Sequence, residues 1–317
     1  MQEQYPKKTI KLNYSNFYGG FKSEIFLITR ILKKHYNIEI SDNPDYLIYS
    51  CFYNDDKFSD KKDCIRIFYS GEARTCDYNK YDYVIDFYNK NINSHHIYAP
   101  NYYFFGSNYI IDLAKQKHLN VDGHEKELLN RNFCSFVYSN DVENRRIFRN
   151  KLSEYKMVDY RGRLEPENNI STVYGEKITF QKNYKFSIAF DNTKQDDYIT
   201  EKLVDSFASN TIPIYFGADN VTRYFNEEAM IIVKDENDFD RAIERIKQID
   251  NDDELYLHML RQPALTPEME EFNEHIMDDL EKFICNIFDK DYKSNLQRYL
   301  IRKIYSYLYS VYKKLFS

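Results

Sequence analysis

Three places in this sequence have residue types and surroundings that invite chemistry. Glu72 follows a glycine at the end of the apolar run Cys64–Tyr69, so its carboxylate stands where a parallel strand would open into a loop. A carboxylate placed there can act as a general base if burial tunes its pKa. Arg145 and Arg146 follow the run Phe133–Tyr138, and guanidinium forks match phosphate oxygens. Glu201 and Lys202 stand side by side: the ammonium can neutralise phosphate charge, whereas the carboxylate is suited to accept hydrogen bonds from hydroxyl groups. Each also has a plain structural reading: a surface glutamate at 72, a solvated helix face at 145–146 and an exposed helix edge at 201–202.

The elements that must position these residues are legible as hydrophobic patterns. Tyr184 to Gly217 reads as an apolar strand over Lys185 to Phe190, a polar loop at Asp191, Asn192 and Thr193, a helix beginning near Asp197, and a second strand from Thr211. Thr200, Leu203, Val204 and Phe207 recur at helical spacing, which leaves Glu201 and Lys202 at one edge of the first turns. The loop contains no glycine, so it is neither a dinucleotide fingerprint nor a phosphate loop. Upstream, Thr9–Ser15, Asn37–Ile40, Tyr46–Cys51, Cys64–Tyr69 and Tyr81–Phe87 read as strands, the last of them closing the N-terminal set, with a helix over Phe21–Tyr36. Alternating strand and helix predicts α/β architecture with mainly parallel sheets.

The 184–217 stretch resembles the signature of the α-1,3/4-fucosyltransferases, glycosyltransferase family 10, in which a Phe-Glu-Asn loop precedes Tyr-(Ile/Val)-Thr-Glu-Lys and a proline-containing strand ending in glycine. The matching residues are Phe190, Asp191, Asn192, then Tyr198, Ile199, Thr200, Glu201, Lys202, then Ile212, Pro213, Ile214 and Gly217. Asp191, a shorter carboxylate, stands where the family more often has Glu. The Ser70-Gly71-Glu72 segment is similar to the family's Tyr-Thr-Gly-Glu segment, with Ser70 replacing Thr. The resemblance implies two Rossmann-like domains facing a cleft (GT-B type) and an inverting transfer of L-fucose from GDP-fucose to an oligosaccharide acceptor. Glu72 would be the general base. Arg145, chosen over Arg146 by its offset from Leu152, would stabilise the departing diphosphate with Lys202. Asn192, Tyr198 and Glu201 would complete the nucleotide pocket, Glu201 at the ribose. Bacterial members use N-acetyllactosamine-type chains of lipopolysaccharide, the Lewis antigens, at O3 or O4 of GlcNAc. Because both cations come from the protein, no divalent metal is required. Two alternatives stand: the same architecture with another nucleotide sugar, or a non-catalytic glycan-binding relative.

At 317 residues the chain can bury two cores. The polar stretch Asn120–Asn132 reads as the linker, giving an acceptor-binding domain over 1–125, a GDP-fucose domain over 126–290 and a basic amphipathic helix over 291–317. A net charge of −6 argues against nucleic acid as a bulk partner. The five cysteines are scattered and read as reduced thiols. The polar start at Met1–Lys8 and the lack of an apolar run of membrane-spanning length predict a cytoplasmic protein. Tyr292–Ser317, with six basic residues and no acidic one, carries an apolar stripe that could lie on anionic lipid or pack across the domains. Tyr102, Tyr103, Phe104 and Phe105 could stack on an acceptor sugar, with core packing the commoner fate. Asp-x-Asp patterns at 235–240 and 250–253 read as helix caps rather than metal ligands.

Overall fold

The short apolar runs become parallel strands in the computed structural model, which describes residues 7–53, 58, 64–78, 80–90, 93–105, 108–138, 140, 142–162, 174–290, 300 and 304. The chain divides into two units: residues 1–99 with 275–317, and residues 100–274.

The first unit is built on six strands: β1 (Thr9–Ser15), β2 (Asn37–Ile40), β3 (Tyr46–Tyr49), β4 (Ile65–Tyr69), β5 (Tyr83–Asp86) and β6 (His96–Tyr98). They form one parallel sheet in the order β2-β1-β3-β4-β5-β6. Every residue of β3 and β5 is buried, as in a parallel sheet covered on both faces. Helix α1 (Leu27–His35) buries Ile28, Ile31 and Leu32. Strand β6 lies beyond the expected last strand, and three residues are too few to show a period.

The second unit begins with α2 (Asn101–Phe105), α3 (Asn108–Gln116) and α4 (Glu125–Leu129). Then follow β7 (Asn132–Val137), α5 (Glu143–Ser153), β8 (Val158–Arg161), α6 (Tyr174–Gln181), β9 (Tyr184–Phe190), α7 (Glu201–Ala208), β10 (Ile212–Phe216), β11 (Ile231–Ile232), α8 (Phe239–Asp250) and α9 (Asp253–Arg261). Its five strands are parallel, in the order β11-β10-β9-β7-β8. Strand β9 is wholly buried near the centre, and Phe136, Phe148, Phe186, Phe190, Ile214 and Phe239 share one core. Each such side chain contributes about 1.5–3 kcal/mol on full burial. Helix α10 (Pro267–Asp289) begins in the second unit and ends in the first.

This division differs from the expected boundary at residue 125. Residues 100–125 belong to the second unit because Val121 joins its core and Lys117 Nζ donates to the carbonyls of Met259 and Leu260 at 3.3 and 3.0 Å. The polar stretch 120–132 contains α4, which buries Leu128. Tyr102 and Tyr103 are buried in this unit, so these two rings of the aromatic cluster pack a core instead of facing a sugar. The acidic patterns do cap: Asp235 accepts from Asn237 N and Asp252 from Leu255 N. Segment 291–317 lies outside the described residues except Leu300 and Ile304, both exposed. Among the described residues no helix is long and apolar enough to cross a membrane.

Candidate active site

The site in the second unit starts where β9 and β10 end together. Asp191 N donates to Phe216 O at 2.8 Å, extending the ladder by one bond and turning the Asp191 side chain inward, where it is fully buried. Its Oδ2 accepts the Tyr215 hydroxyl at 3.2 Å, and its Oδ1 accepts the Thr200 hydroxyl. The Tyr215 hydroxyl in turn accepts from Ala218 N at 2.8 Å. A Cβ on Gly217 would overlap that hydroxyl and come within 2.7 Å of Asp191 Oδ2. Only glycine leaves room for the pair, which is the physical reason the strand ends in one.

The sequence reading starts α7 near Asp197, but the helix begins at Glu201 with Thr200 as its N-cap. Asp197 instead takes a left-handed conformation, φ 65°, tolerated better by Asp than by most residues. It is held there by Asn220, which accepts from Asp197 N at 2.9 Å and donates to Asp197 Oδ1 at 2.6 Å, and by the Tyr224 hydroxyl at 2.5 Å. The reversal buries Tyr198 and Ile199 and aims the first turn of α7 back at the end of β9.

Lys202 Nζ then lies 3.2 Å from Glu201 Oε1, 3.2 Å from Thr200 Oγ1 and 4.0 Å from Asp191 Oδ1. Side-chain exposures of 16% for Lys202 and 25% for Glu201 leave both reachable by a ligand, whereas Asp191 is sealed. Lys177, from α6, pairs with buried Asp205 at 2.5 Å. Burial pushes the Asp191 carboxyl up to about 6, against the opposing Lys202 charge and the Thr200 hydrogen bond. Burial works the same way on Glu201, but there the Lys202 and Lys177 charges outweigh it and hold the carboxyl down at about 2. Glu201 is therefore a fixed anion, suited to accept hydrogen bonds.

Arg145 sits in the first turn of α5, buried to 1% exposure. Its Nη1 donates to Asn140 O at 3.0 Å and its Nη2 to Phe190 O, the last residue of β9. Burial lowers its pKa, countered by the Asp191 and Glu201 charges. Its Nε has no partner among the described residues, and neither has the buried Asn192 Oδ1. Arg146 is exposed on the same helix. Asn and Asp are favoured caps, which predicts that Asn140 or Asp141 caps α5; the helix instead has Val142 at its N-cap with no side-chain cap bond, and Asp141 lies outside the described residues.

Arg145, Asn192, Tyr198, Glu201 and Lys202 thus gather around the ends of β9 and α7, and Glu72 stands in the first unit. There the Ser70 hydroxyl reaches the carbonyls of Glu72 and Arg74, each at 2.7 Å, closing a tight loop after β4. The loop's far end is pinned by the Tyr78 hydroxyl donating to buried Asp86 at 2.7 Å, whose other oxygen pairs with His96 Nε2 at 2.8 Å. Sequence reasoning missed Lys177, Asp205, Asp197 and Tyr215. Asp205 had a signal, four residues after Glu201 and so on the same helix face. Lys177 had none, because it lies 24 residues upstream of Glu201 on another helix.

The sequence profile of the N-terminal domain of α-(1,3)-fucosyltransferase FucT matches residues 12–105, which include Glu72. The profile of the glycosyltransferase family 10 (fucosyltransferase) C-terminal region matches residues 126–307, more than half of the chain and the whole Arg145–Lys202 site. The chain belongs to glycosyltransferase family 10. Within that family it is 29% identical over 292 residues to α-(1,3)-fucosyltransferase FucT of Helicobacter pylori, covering 81% of this chain and 60% of that protein. It is 31% identical over 116 residues to the 4-galactosyl-N-acetylglucosaminide 3-α-L-fucosyltransferase 9 of Bos taurus, covering 33% of this chain and 32% of that one. The family 10 chain therefore spans less than two thirds of the length of either relative. The crystal structure of an α1,3-fucosyltransferase with GDP superposes with a TM-score of 0.66 at 25% identity, over 88% of this chain and 92% of that one. The Asp191 carboxylate of this family 10 chain accepts hydrogen bonds from both Thr200 and Tyr215.

Proposed function

We propose that this family 10 chain transfers L-fucose from GDP-fucose to O3 of GlcNAc in N-acetyllactosamine-type glycans, O4 being the alternative position. The observation that carries the reading is the buried Arg145 guanidinium, whose Nε lacks a partner among the described residues, joined through Phe190 and Asp191 to the reachable Glu201–Lys202 pair. The names of the relatives and the GDP in the superposed structure support the donor and the acceptor sugar.

In this reading Glu72 takes the proton of the acceptor hydroxyl while the acceptor oxygen bonds to the anomeric carbon, opposite GDP. The bond from that carbon to the β-phosphate oxygen breaks, its electron pair leaves with GDP, and the configuration inverts. Arg145 and Lys202 stabilise the charge that accumulates on the diphosphate, in surroundings dry enough to strengthen both. Glu201 accepts hydrogen bonds from the ribose hydroxyls, and Asn192 and Tyr198 complete the nucleotide pocket. The protein's own cations serve the leaving group, so a divalent metal is not required. The reaction is placed in the cytoplasm, with basic segment 292–317 touching the inner membrane face; cosedimentation with anionic vesicles checks that contact.

The decisive experiment is incubation with GDP-fucose and a panel of N-acetyllactosamine and related disaccharides, with product linkage and anomeric configuration read by NMR. An α-1,3 bond to GlcNAc is expected. Transfer only from a UDP- or CMP-sugar, or binding of glycan without turnover, overturns the reading.

A further inference from the structure

Three loops follow three adjacent strands at the C-terminal end of the first sheet: residues 16–22 after β1, 50–53 after β3, and 70–74 after β4. They are tied together, Phe52 N donating to Asn16 O at 3.0 Å and Arg74 Nη1 to Cys51 O at 3.0 Å. Beneath them lies an aromatic layer. Phe17 and Phe21 stack with centroids 3.9 Å apart, and Phe26 meets Tyr69 edge-on at 4.9 Å. Two rings of these loops stay in solvent, Tyr18 at 41% exposure and Tyr53 at 54%.

Tyr18 is joined to the Glu72 loop through Phe52, and Tyr53 follows Phe52 in the chain. Tyr18 packs edge-on against Phe52 at 5.3 Å, and a Cβ on Gly71 would lie 3.1 Å from the Phe52 ring. A Cβ on Gly19 would lie 3.8 Å from the Tyr53 hydroxyl, and around Gly20, at φ 80°, the same construction meets open space. The two residues that follow Tyr18 thus carry no side chain beside its ring. Two solvent-exposed aromatic rings, each bearing a polar tip, match a pyranose, which has an apolar face of C–H groups and a rim of hydroxyls.

We propose that Tyr18 and Tyr53 form the platform on which a sugar ring of the acceptor stacks, setting the hydroxyl that Glu72 deprotonates. The assignment rests on the fucosyl-transfer reading, and it gives the acceptor role to exposed rings in place of the buried Tyr102 and Tyr103.

The test is the kinetics of Tyr18→Ala, Tyr53→Ala and the two Phe variants with N-acetyllactosamine, together with saturation-transfer NMR of the same disaccharide on the wild-type protein. Each Ala variant should raise the acceptor KM by about tenfold, the loss expected of one stacked ring. The GDP-fucose KM and kcat at saturating acceptor should stay near wild type, and each Phe variant should keep most of the acceptor affinity. Unchanged acceptor KM in both Ala variants overturns the platform, as does a parallel rise in donor KM. Saturation transfer to the disaccharide C–H protons needs no variant; its absence in the wild type also overturns the proposal. If the wild type binds the disaccharide through these rings but transfers no fucose, the transferase reading fails and the platform stands.

Discussion

The Asp191 carboxylate and the Lys202 ammonium stand 4.0 Å apart, with the Thr200 hydroxyl bonded to the first and 3.2 Å from the second. The sealed carboxylate and the reachable ammonium therefore share one hydroxyl, so the protonation state of one is felt by the other.

Burial raises Asp191 from 3.8 to about 6, so its ionised form is disfavoured by the fold. The sign follows: the cost is present above about 6 and is removed as pH falls towards 3.8. Below about 6 the neutral side chain leaves Lys202 with less competing negative charge. GDP-fucose, a diphosphate diester that does not itself titrate in this range, should bind about fivefold more tightly at about pH 5.5 than at about 7.5. Asp191→Asn should bind tightly at both. Calorimetry across the range checks this, and a slope unchanged by the substitution refutes it.

Arg145 and Arg146 are chemically alike and physically opposite. Arg145→Lys leaves the Phe190 carbonyl poorly paired, so stability should fall by about 1–3 kcal/mol and GDP-fucose affinity by about tenfold. Arg146→Ala should change stability by no more than about 0.5 kcal/mol. Urea denaturation and calorimetry on both variants decide between them.

Glu72→Gln should lower transfer by about 10²–10⁴-fold while GDP affinity is retained. Lys202→Ala should weaken GDP binding and transfer together. The comparison separates proton removal from grip on the leaving group, and a Glu72→Gln variant with wild-type turnover would remove it from the role of base.

Lys177 and Asp205 are a buried ion pair, at 13% and 2% side-chain exposure. Removing one partner strands the other, so Lys177→Met should destabilise the protein by about 3 kcal/mol. Adding Asp205→Leu should restore most of that loss. If the double variant is as unstable as the single one, the pair is not what holds α6 against α7.

The fold was legible where burial imposed a simple period. Lys185–Phe190 and Thr211–Gly217 could only be buried strands, and they run side by side as β9 and β10. What failed to show was everything decided by a distant partner. The start of α7 moved from Asp197 to Glu201 because Asn220 and Tyr224 hold Asp197 in a left-handed turn, and no window around Asp197 contains them. The role of Asp191 depended on Tyr215 and Thr200, which converge only once the strands pair. The segment 100–125 reads as part of the N-terminal domain until Lys117 finds the carbonyls that end α9.

Helix α10 has a consequence for how the chain is made. The Tyr36 hydroxyl bonds to Asp289, 253 residues later, and Lys34 and His35 pair with Glu281. Phe288 packs on Tyr46 with ring centroids 4.4 Å apart. At ribosomal speeds of about 5–20 residues per second, Tyr36 is synthesised roughly 13–50 s before the Asp289 that covers it. The unit translated first is thus the one completed last, and until then Tyr36 and Tyr46 offer an apolar surface to any chaperone waiting at the exit tunnel.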